Sequence, residues 1–92
     1  MIRSFKCKDT ARLFKDERVR KFQGFADSAK KKLLLLHAAT ELSDLSRFPG
    51  LCLERLKGDR SGQHSIRINN QWRICFIWQD DGPYNVEIID YH

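Results

Sequence analysis

The stretch that decides the fold class is WRICFIW, residues 72–78. Side chains alternate between the two faces of a β-strand. One face therefore carries Trp72, Ile74, Phe76 and Trp78, and the other carries Arg73, Cys75 and Ile77. A strand with one broad apolar face needs a second layer of structure to cover that face. The stretch therefore predicts a sheet that is packed on one side and bears Arg73 on the other.

Strand signals continue on both sides of this stretch. Before it, residues 51–56 (LCLERL) and 64–68 (HSIRI) predict two strands, which are separated by a loop at residues 57–63 (KGDRSGQ). A tight turn at 69–71 (NNQ) joins the second of these to WRICFIW, and a hairpin turn at 79–83 (QDDGP) leads to a last strand, YNVEIID. The second half of the chain thus predicts three or four strands in an antiparallel meander.

The first half of the chain carries helix signals. Residues 2–5 (IRSF) predict a short strand, and residues 8–22 predict a helix with Asp9 or Thr10 as its N-cap. Apolar residues at helical spacing predict a second helix over 22–38, and residues 40–50 predict one further turn that ends at Pro49 and Gly50. We therefore expect one α+β domain spanning 1–92, with two N-terminal helices on one face of a small, mainly antiparallel sheet. The other face, with Arg67 and Arg73, is expected to stay open.

Composition sets limits on the function. The 92 residues carry a net charge of +5, which suits either a polyanionic partner or simple solubility. Cys7, Cys52 and Cys75 form no CxxC pair, so we expect buried or half-buried thiols in a reducing compartment. The start of the chain lacks the apolar run of a signal peptide, and the leucine run at 33–36 is too short to span a bilayer. These features predict a cytoplasmic protein with no membrane partner.

The sequence contains no metal-ligand or nucleotide-binding motif. None of the three histidines, His37, His64 and His92, stands at metal-ligand spacing, so we expect neither metal nor cofactor. What remains for chemistry is a set of polar residues in the strand-rich half, namely Lys57, Asp59, Arg60, Arg73, Asp90, Tyr91 and His92. Metal-free RNA cleavage needs a base for the ribose 2′-OH, an acid for the leaving 5′-oxygen and cations around the phosphate. Asp90 or His92 suits the first two roles, and Lys57 and Arg73 suit the third.

Structural roles explain the same residues equally well at this point. Arg73 can form a cross-strand ion pair, for instance with Glu87, and Asp59 can be a turn residue that pairs with Arg60. Tyr91 and His92 can simply pack at the end of a strand. Residue types and spacing leave these alternatives open.

Longer stretches resemble a known family. RLKGDRSGQHSIRINNQWRICFIW (55–78), the closing DYH (90–92) and the opening MIRSF together resemble the HigB branch of the RelE/ParE toxin superfamily. The resemblance covers essentially the whole chain and implies a RelE-like fold. It implies a ribosome-dependent endoribonuclease that cuts mRNA in the ribosomal A site without a metal. A HigA-like helix-turn-helix antitoxin would hold the toxin inactive, as a hetero-oligomer formed from a monomeric free toxin.

The resemblance also implies roles for individual residues. Lys57, Arg73, Asp90, Tyr91 and His92 match active-site positions of the family, and the basic residues Arg60 and Arg67 match RNA-contacting surroundings. Some relatives carry a histidine where this chain has Glu54–Arg55, and we assign Glu54 no catalytic role from the sequence.

Two other functions compete with mRNA cleavage. ParE-like members of the superfamily poison DNA gyrase without cutting RNA, a function that has no need of the proton-transfer set in DYH. A basic, non-catalytic RNA-binding module is the third reading, and Tyr91 alone is thin support for it, because such sheets present several stacking aromatics. Loss of mRNA on induction favours cleavage, and DNA damage signalling without mRNA loss favours gyrase poisoning.

Overall fold

The computed structural model describes residues 1–91 of the chain. Its helices are α1 (Lys8–Phe14), α2 (Ala26–Ala38) and α3 (Leu42–Leu45), and its strands are β1 (Glu54–Arg55), β2 (His64–Arg67), β3 (Trp72–Gln79) and β4 (Gly82–Asp90). Three short 3-10 turns lie between them, at Arg20–Phe25, Pro49–Leu51 and Gly58–Arg60. No helix within this part of the chain has both the length and the apolar character needed to cross a bilayer.

The strands form one sheet in the order β1-β2-β3-β4, and every neighbouring pair is antiparallel. Ser65 of β2 lies opposite Cys75 of β3, and Ile74 of β3 lies opposite Ile88 of β4. The predicted meander is therefore confirmed. The predicted opening strand is reduced to a single parallel bridge between Phe5 and Val86, which makes the sheet mainly, but not wholly, antiparallel.

The helices cover one face of the sheet, as the alternation in β3 requires. On that face Ile66, Ile74 and Phe76 are fully buried, and α2 contributes Leu33 and Leu36, which are buried as well. The Trp72 ring packs against two aromatic rings from the 3-10 turn at 20–25, those of Phe22 and Phe25. The α+β architecture with helices on one face is thus confirmed.

The predicted element boundaries were wrong in several places. The helix expected over 8–22 ends at Phe14, and Asp16 adopts a left-handed backbone with φ 65°. The helix expected over 22–38 begins only at Ala26, after a 3-10 turn that contains Gly24, a poor helix former. Pro49 does not close the turn of α3, which ends at Leu45, and instead starts the next 3-10 turn.

The strand expected over 51–56 is likewise much shorter than predicted. Only Glu54 and Arg55 pair with β2. Leu51 belongs to the preceding 3-10 turn, and Cys52 adopts a left-handed backbone with φ 47° and ψ 54°. A left-handed residue cannot continue an extended ladder. The chain therefore passes over the sheet before it joins the edge of the sheet.

Candidate active site

Arg73 lies at the centre of the sheet face opposite the helices. Its side chain is directed there because its neighbours in β3, Trp72 and Ile74, pack against the helices. The residue is only 8% exposed, so the prediction of an open position was wrong. Its Nη2 donates a hydrogen bond to the carbonyl oxygen of Cys52 at 2.6 Å, and this loop covers the guanidinium. The left-handed turn at Cys52, which the sequence did not reveal, is therefore the reason for the burial.

The ionic partner of Arg73 also differs from the one considered from the sequence. Arg73 Nη2 lies 3.7 Å from Glu54 Oε2, whereas Glu87 pairs with Arg60. The Glu54 side chain is 49% exposed and comes from the edge strand β1. The exposed carboxylate and the buried guanidinium thus meet on the sheet face opposite the helices.

Tyr91 contacts both Glu54 and Arg73. It follows directly after β4, and its backbone N–H donates to the carbonyl oxygen of Gln71. Its phenolic hydroxyl donates to Glu54 Oε1 at 3.3 Å, and the centre of its ring lies 5.4 Å from the Arg73 guanidinium carbon. The side chains of Glu54, Arg73 and Tyr91 therefore form one cluster, which we call the Glu-Arg-Tyr cluster. Sequence reasoning placed Arg73 and Tyr91 in one site, and the structure brings these two together.

A cleft opens beside the Glu-Arg-Tyr cluster. It has a volume of about 410 Å³ and is lined by Glu54, Arg55, Leu56, Lys57, Arg60 and Tyr91. Lys57 is exposed at its wall, immediately before the 3-10 turn that carries Arg60. The cleft therefore offers a carboxylate, a phenol and several cations to one bound group.

Arg60 is held in place by a carboxylate. Its Nη1 donates to Glu87 Oε1 at 2.9 Å and to Gln63 Oε1 at 3.2 Å. The hydrogen bond to Glu87 raises the pKa of Arg60 further above its already high usual value. From the sequence we considered a pair between Arg60 and Asp59, and this was wrong. Asp59 lies with Arg60 in the same 3-10 turn, but the carboxylate that binds Arg60 is that of Glu87, which faces it from β4.

Arg67 shares the face of Arg73, because the two residues lie directly opposite one another in the β2–β3 ladder. Its guanidinium donates a hydrogen bond to Asn70 Oδ1 at the hairpin turn. Two like charges in register disfavour each other unless an anion lies near both. The arrangement therefore leaves a positive edge beside the Glu-Arg-Tyr cluster.

Asp90 lies apart from the Glu-Arg-Tyr cluster. It stands opposite Trp72 in the β3–β4 ladder, so its side chain is directed to the helix-covered face. Gln71 Nε2 donates to Asp90 Oδ2 at 3.1 Å. His92, the other predicted member of the closing DYH, is outside the described residues. The structure thus places Lys57 and Tyr91 in the lining of one cleft, with Arg73 in contact with Tyr91 beside it. It places the Asp90 carboxylate on the other side of the strand.

The cysteines and the other two histidines have structural surroundings. Cys75 is buried under the site, and burial raises the pKa of its thiol to about 11. Cys52 is exposed, which corrects the prediction that every cysteine would be at least half-buried. His37 accepts a hydrogen bond from the Ile2 backbone N–H, and His64 stacks on Phe76. Within residues 1–91, no group of three or more His, Cys, Asp or Glu side chains is placed to hold a metal ion.

Comparison with known proteins decides the family. Residues 3–92 match the family model for HigB-like toxins, described as the RelE-like toxin of the type II toxin-antitoxin system HigB. This chain belongs to that family. The resemblance inferred from the sequence is therefore confirmed, and the chain is the toxin of a type II toxin–antitoxin system.

Two characterised relatives bear HigB names. The toxin is 34% identical to the Endoribonuclease HigB of Proteus vulgaris, over the full length of both chains. It is 44% identical to Toxin HigB-1 of Vibrio cholerae, in a match that covers 60% of this chain and 58% of the relative. Against that second relative, the matched region thus spans little more than half of its length.

Solved structures support the fold. The toxin superposes on a chain of the YoeB-YefM complex from Staphylococcus aureus with a TM-score of 0.57 and 22% identity, covering 100% of this chain and 98% of that one. A YoeB dimer from the same organism gives a TM-score of 0.56 and 23% identity, covering 99% and 94%. The RelE-like fold is therefore confirmed.

Two residues of the toxin's site were missed from the sequence. Glu54 contacts both other members of the Glu-Arg-Tyr cluster, and Ser65 is fully buried and accepts a hydrogen bond from Arg73 Nε at 2.8 Å. Ser65 lies two residues before Arg67 in β2 and so shares its face, which the alternation of the strand could have indicated. The position of Glu54 depended on pairing Glu54 with Ser65 across the loop at 57–63, and that register had no signal in the sequence.

Proposed function

We propose that this toxin is an endoribonuclease that enters the ribosome, cuts mRNA in the A site and so inhibits translation. The chain acts as one toxin domain over residues 1–92, in the cytoplasm, without a metal or other cofactor. The observation that carries this proposal is the Glu-Arg-Tyr cluster beside a basic cleft. Family membership and the name of the Proteus relative support it.

The cluster suits attack by a ribose 2′-OH on the adjacent phosphate. The Glu54 carboxylate accepts the 2′-OH proton, and the 2′-oxygen forms a bond to phosphorus. The bond from phosphorus to the 5′-oxygen then breaks, and that oxygen takes a proton from an acid. The products are a 2′,3′-cyclic phosphate and a free 5′-OH. All atoms are accounted for without a water molecule.

The remaining residues have supporting roles in this scheme. Arg73 and Lys57 stabilise the charge that accumulates on the phosphate oxygens. His92 matches an active-site position of the family, and we propose it as the acid. Asp90 stays a proposed member of the active site, with its side chain directed to the helix-covered side of β4. Tyr91 either hydrogen-bonds the phosphate or stacks on a base. Arg60 and Arg67 contact the RNA backbone.

The partners follow from the same proposal. The toxin binds the 70S ribosome with its mRNA, and it is held inactive by a HigA-like antitoxin with a helix-turn-helix domain. A YoeB-YefM complex among the similar structures supports an antitoxin partner in general. The net charge of +5 favours an acidic segment on that partner. The free toxin is a monomer and forms a hetero-oligomer with the antitoxin.

A cell-free translation reaction tests this function. Purified toxin is added to a defined mRNA with and without ribosomes, and new 5′ ends are mapped by primer extension. We expect cuts at A-site codons only on ribosomes, and we expect them to be abolished in His92→Gln and Arg73→Ala.

The controls separate this function from its competitors. Both variants are checked for folding by circular dichroism, and Ser43→Ala, an exposed change on α3, serves as a matched active variant. Intact mRNA with normal translation would overturn the proposal. DNA damage signalling on induction, without mRNA loss, would instead identify a gyrase poison. Cleavage that is unchanged in both variants would show that His92 and Arg73 are wrongly assigned.

A further inference from the structure

Neutral oxygens hold the Arg73 guanidinium. Its Nε donates to the Ser65 hydroxyl at 2.8 Å, and its Nη2 donates to the carbonyl oxygen of Cys52 at 2.6 Å. A weaker contact joins Nη2 to the Ser65 carbonyl oxygen at 3.5 Å. Ser65 is fully buried and Arg73 is 8% exposed. The guanidinium is therefore fixed in a defined orientation by groups that carry no charge.

Arg60 and Arg73 differ in how far a nearby carboxylate neutralises their charge. Arg60 donates to the Glu87 carboxylate at 2.9 Å, which neutralises most of its charge locally. Among residues 1–91, the carboxylate that pairs with Arg73 is that of Glu54, which lies at the longer distance of 3.7 Å with a side chain that is 49% exposed. Arg73 thus keeps more of its charge for an incoming anion, while its geometry is set in advance. Preorganised charge of this kind stabilises a transition state without reorganisation at the moment of reaction.

We propose that Ser65 is a positioning residue of the toxin's site, whose hydroxyl fixes the Arg73 guanidinium in the orientation that meets the reacting phosphate. The catalytic part of this inference rests on the proposed ribonuclease function. Ser65 does not touch RNA in this scheme and acts only through Arg73. Without the hydroxyl, Arg73 Nε loses its acceptor in a buried position, so the guanidinium turns to find another one.

The first test measures whether the Arg73 guanidinium is held in a fixed position, and it does not depend on cleavage activity. In a ¹⁵N-labelled toxin, a fixed and hydrogen-bonded Arg73 gives a resolved Nε–H signal with slow exchange, identified by its absence in Arg73→Lys. We expect Ser65→Ala to broaden this signal or to shift it into the range of mobile arginines. Ser65→Thr keeps a hydroxyl and is expected to keep the signal.

A matched control separates this effect from general loss of stability. Thr10 is also fully buried, and its hydroxyl accepts a hydrogen bond from the Ile88 backbone N–H at 3.0 Å. Thr10→Val removes a buried hydroxyl of the same kind far from Arg73 in sequence and on a different element. We expect it to lower thermal stability as Ser65→Ala does, while the Arg73 signal stays unchanged.

The second test measures cleavage on the ribosome. We expect kcat to fall about 10-fold to 100-fold in Ser65→Ala, with little change in KM, because the lost interaction acts in the transition state. Ser65→Thr should recover most of the rate, and Thr10→Val should cut at the wild-type rate.

The outcomes are distinguishable. A wild-type Arg73 signal in Ser65→Ala would overturn the positioning role, whether or not the toxin cuts RNA. A loss of kcat in Thr10→Val equal to that in Ser65→Ala would overturn it as well. A wild-type toxin that never cuts mRNA would contradict the proposed function, while the Arg73 signal alone would still decide whether Ser65 holds Arg73.

Discussion

Arg73 lies on the face of β3 that the alternation predicts, but its side chain is buried instead of exposed. Alternation in β3 directs Arg73 away from the helices, and alternation alone would leave its side chain in water. The Cys52 carbonyl and the buried Ser65 hydroxyl instead enclose the guanidinium. A buried cation is tolerated when its donors are satisfied, and it is costly when a partner is lost. Substitutions that remove a hydrogen-bond partner of the Arg73 guanidinium are therefore expected to affect both stability and activity, which calls for controls that separate the two.

Substitution of Glu54 tests the proposed general base directly. Glu54→Gln keeps the size of the side chain and leaves an oxygen for the Tyr91 hydroxyl to bond, but it removes the carboxylate that accepts a proton in the proposed reaction. We expect kcat on ribosomes to fall about 100-fold, as is typical for loss of a general base. Stability should change by less than about 0.5 kcal/mol, because the position is exposed.

A charge-matched control makes this result specific. Glu17→Gln removes an exposed carboxylate that pairs with Arg12, in the first half of the chain. It should leave cleavage unchanged. If Glu54→Gln cuts mRNA as fast as Glu17→Gln does, Glu54 is not the base, and the proton must go to another group.

The two cysteines of the site loop and of β3 should differ in reactivity. Burial raises the pKa of the Cys75 thiol from 9.0 to about 11, so at pH 8 its thiolate is about 100-fold scarcer than that of an ordinary thiol. Cys52 is exposed. We expect iodoacetamide to modify Cys52 first, and Cys75 only after unfolding, as read by mass spectrometry of peptides. Early modification of Cys75 in folded toxin would contradict the burial of β3.

The same shift has a consequence for stability. A thiol pKa that is raised in the folded state favours folding fully below the unfolded value, near pH 9, and this contribution is lost as the pH rises towards 11. The free energy of unfolding should therefore fall between these two pH values, and Cys75→Ala should show a smaller fall.

At the scale of elements, the strands were more predictable than the connections. β3 alternates in the sequence, so its two faces followed from the sequence. β4 was predicted as a strand, but the register shift opposite Cys75 and Ile77 and the left-handed backbone of Asn85, with φ 53°, were not. β1 was not predictable, since a left-handed residue at Cys52 leaves only Glu54 and Arg55 to pair with β2. The residues of the site differ in the same way in how well the sequence predicted them. Arg73 and Tyr91 were identified from the sequence. Glu54 was recognised only from the register of the two-residue strand β1, and Ser65 only from its hydrogen bond to Arg73.

The turn between β2 and β3 sets the register that the site needs. The Asn69 side-chain oxygen accepts hydrogen bonds from the backbone N–H groups of Gln71 at 2.8 Å and Trp72 at 2.9 Å. Asn69→Ala leaves both groups without this acceptor and should lower the free energy of unfolding by about 1–2 kcal/mol. Chemical denaturation measures this loss.

The adjacent asparagine is a matched control. Asn70 is exposed, and its side chain bonds only the Arg67 guanidinium among the contacts found in residues 1–91. Asn70→Ala should change stability by less than about 0.5 kcal/mol. Equal losses in the two variants would show that the Asn69 side chain does not hold the turn.

At the scale of the whole molecule, folding and function use opposite faces of one sheet. The helix-covered face supplies the buried core, including Phe76 and Ile74. The other face carries Arg67, Arg73 and the Glu-Arg-Tyr cluster. Because the two sets share β3 but face in opposite directions, exposed charges on the open face can change without loss of the core. RNA binding is therefore expected to be tunable while the fold persists.

The chain's net charge of +5 and the arginines of this face predict that the affinity for RNA depends on salt. Binding to a single-stranded RNA should weaken linearly on a logarithmic salt scale, because each neutralised phosphate releases counterions. We expect Arg67→Ala to weaken binding of several RNA sequences alike, and to reduce the salt slope by about 0.7, the value for one lost phosphate contact on a single strand. Ser43→Ala on α3 should leave the slope unchanged. The slopes are measured by fluorescence anisotropy with catalytically inactive His92→Gln toxin as the background, and an unchanged slope in Arg67→Ala would remove Arg67 from the RNA-binding surface.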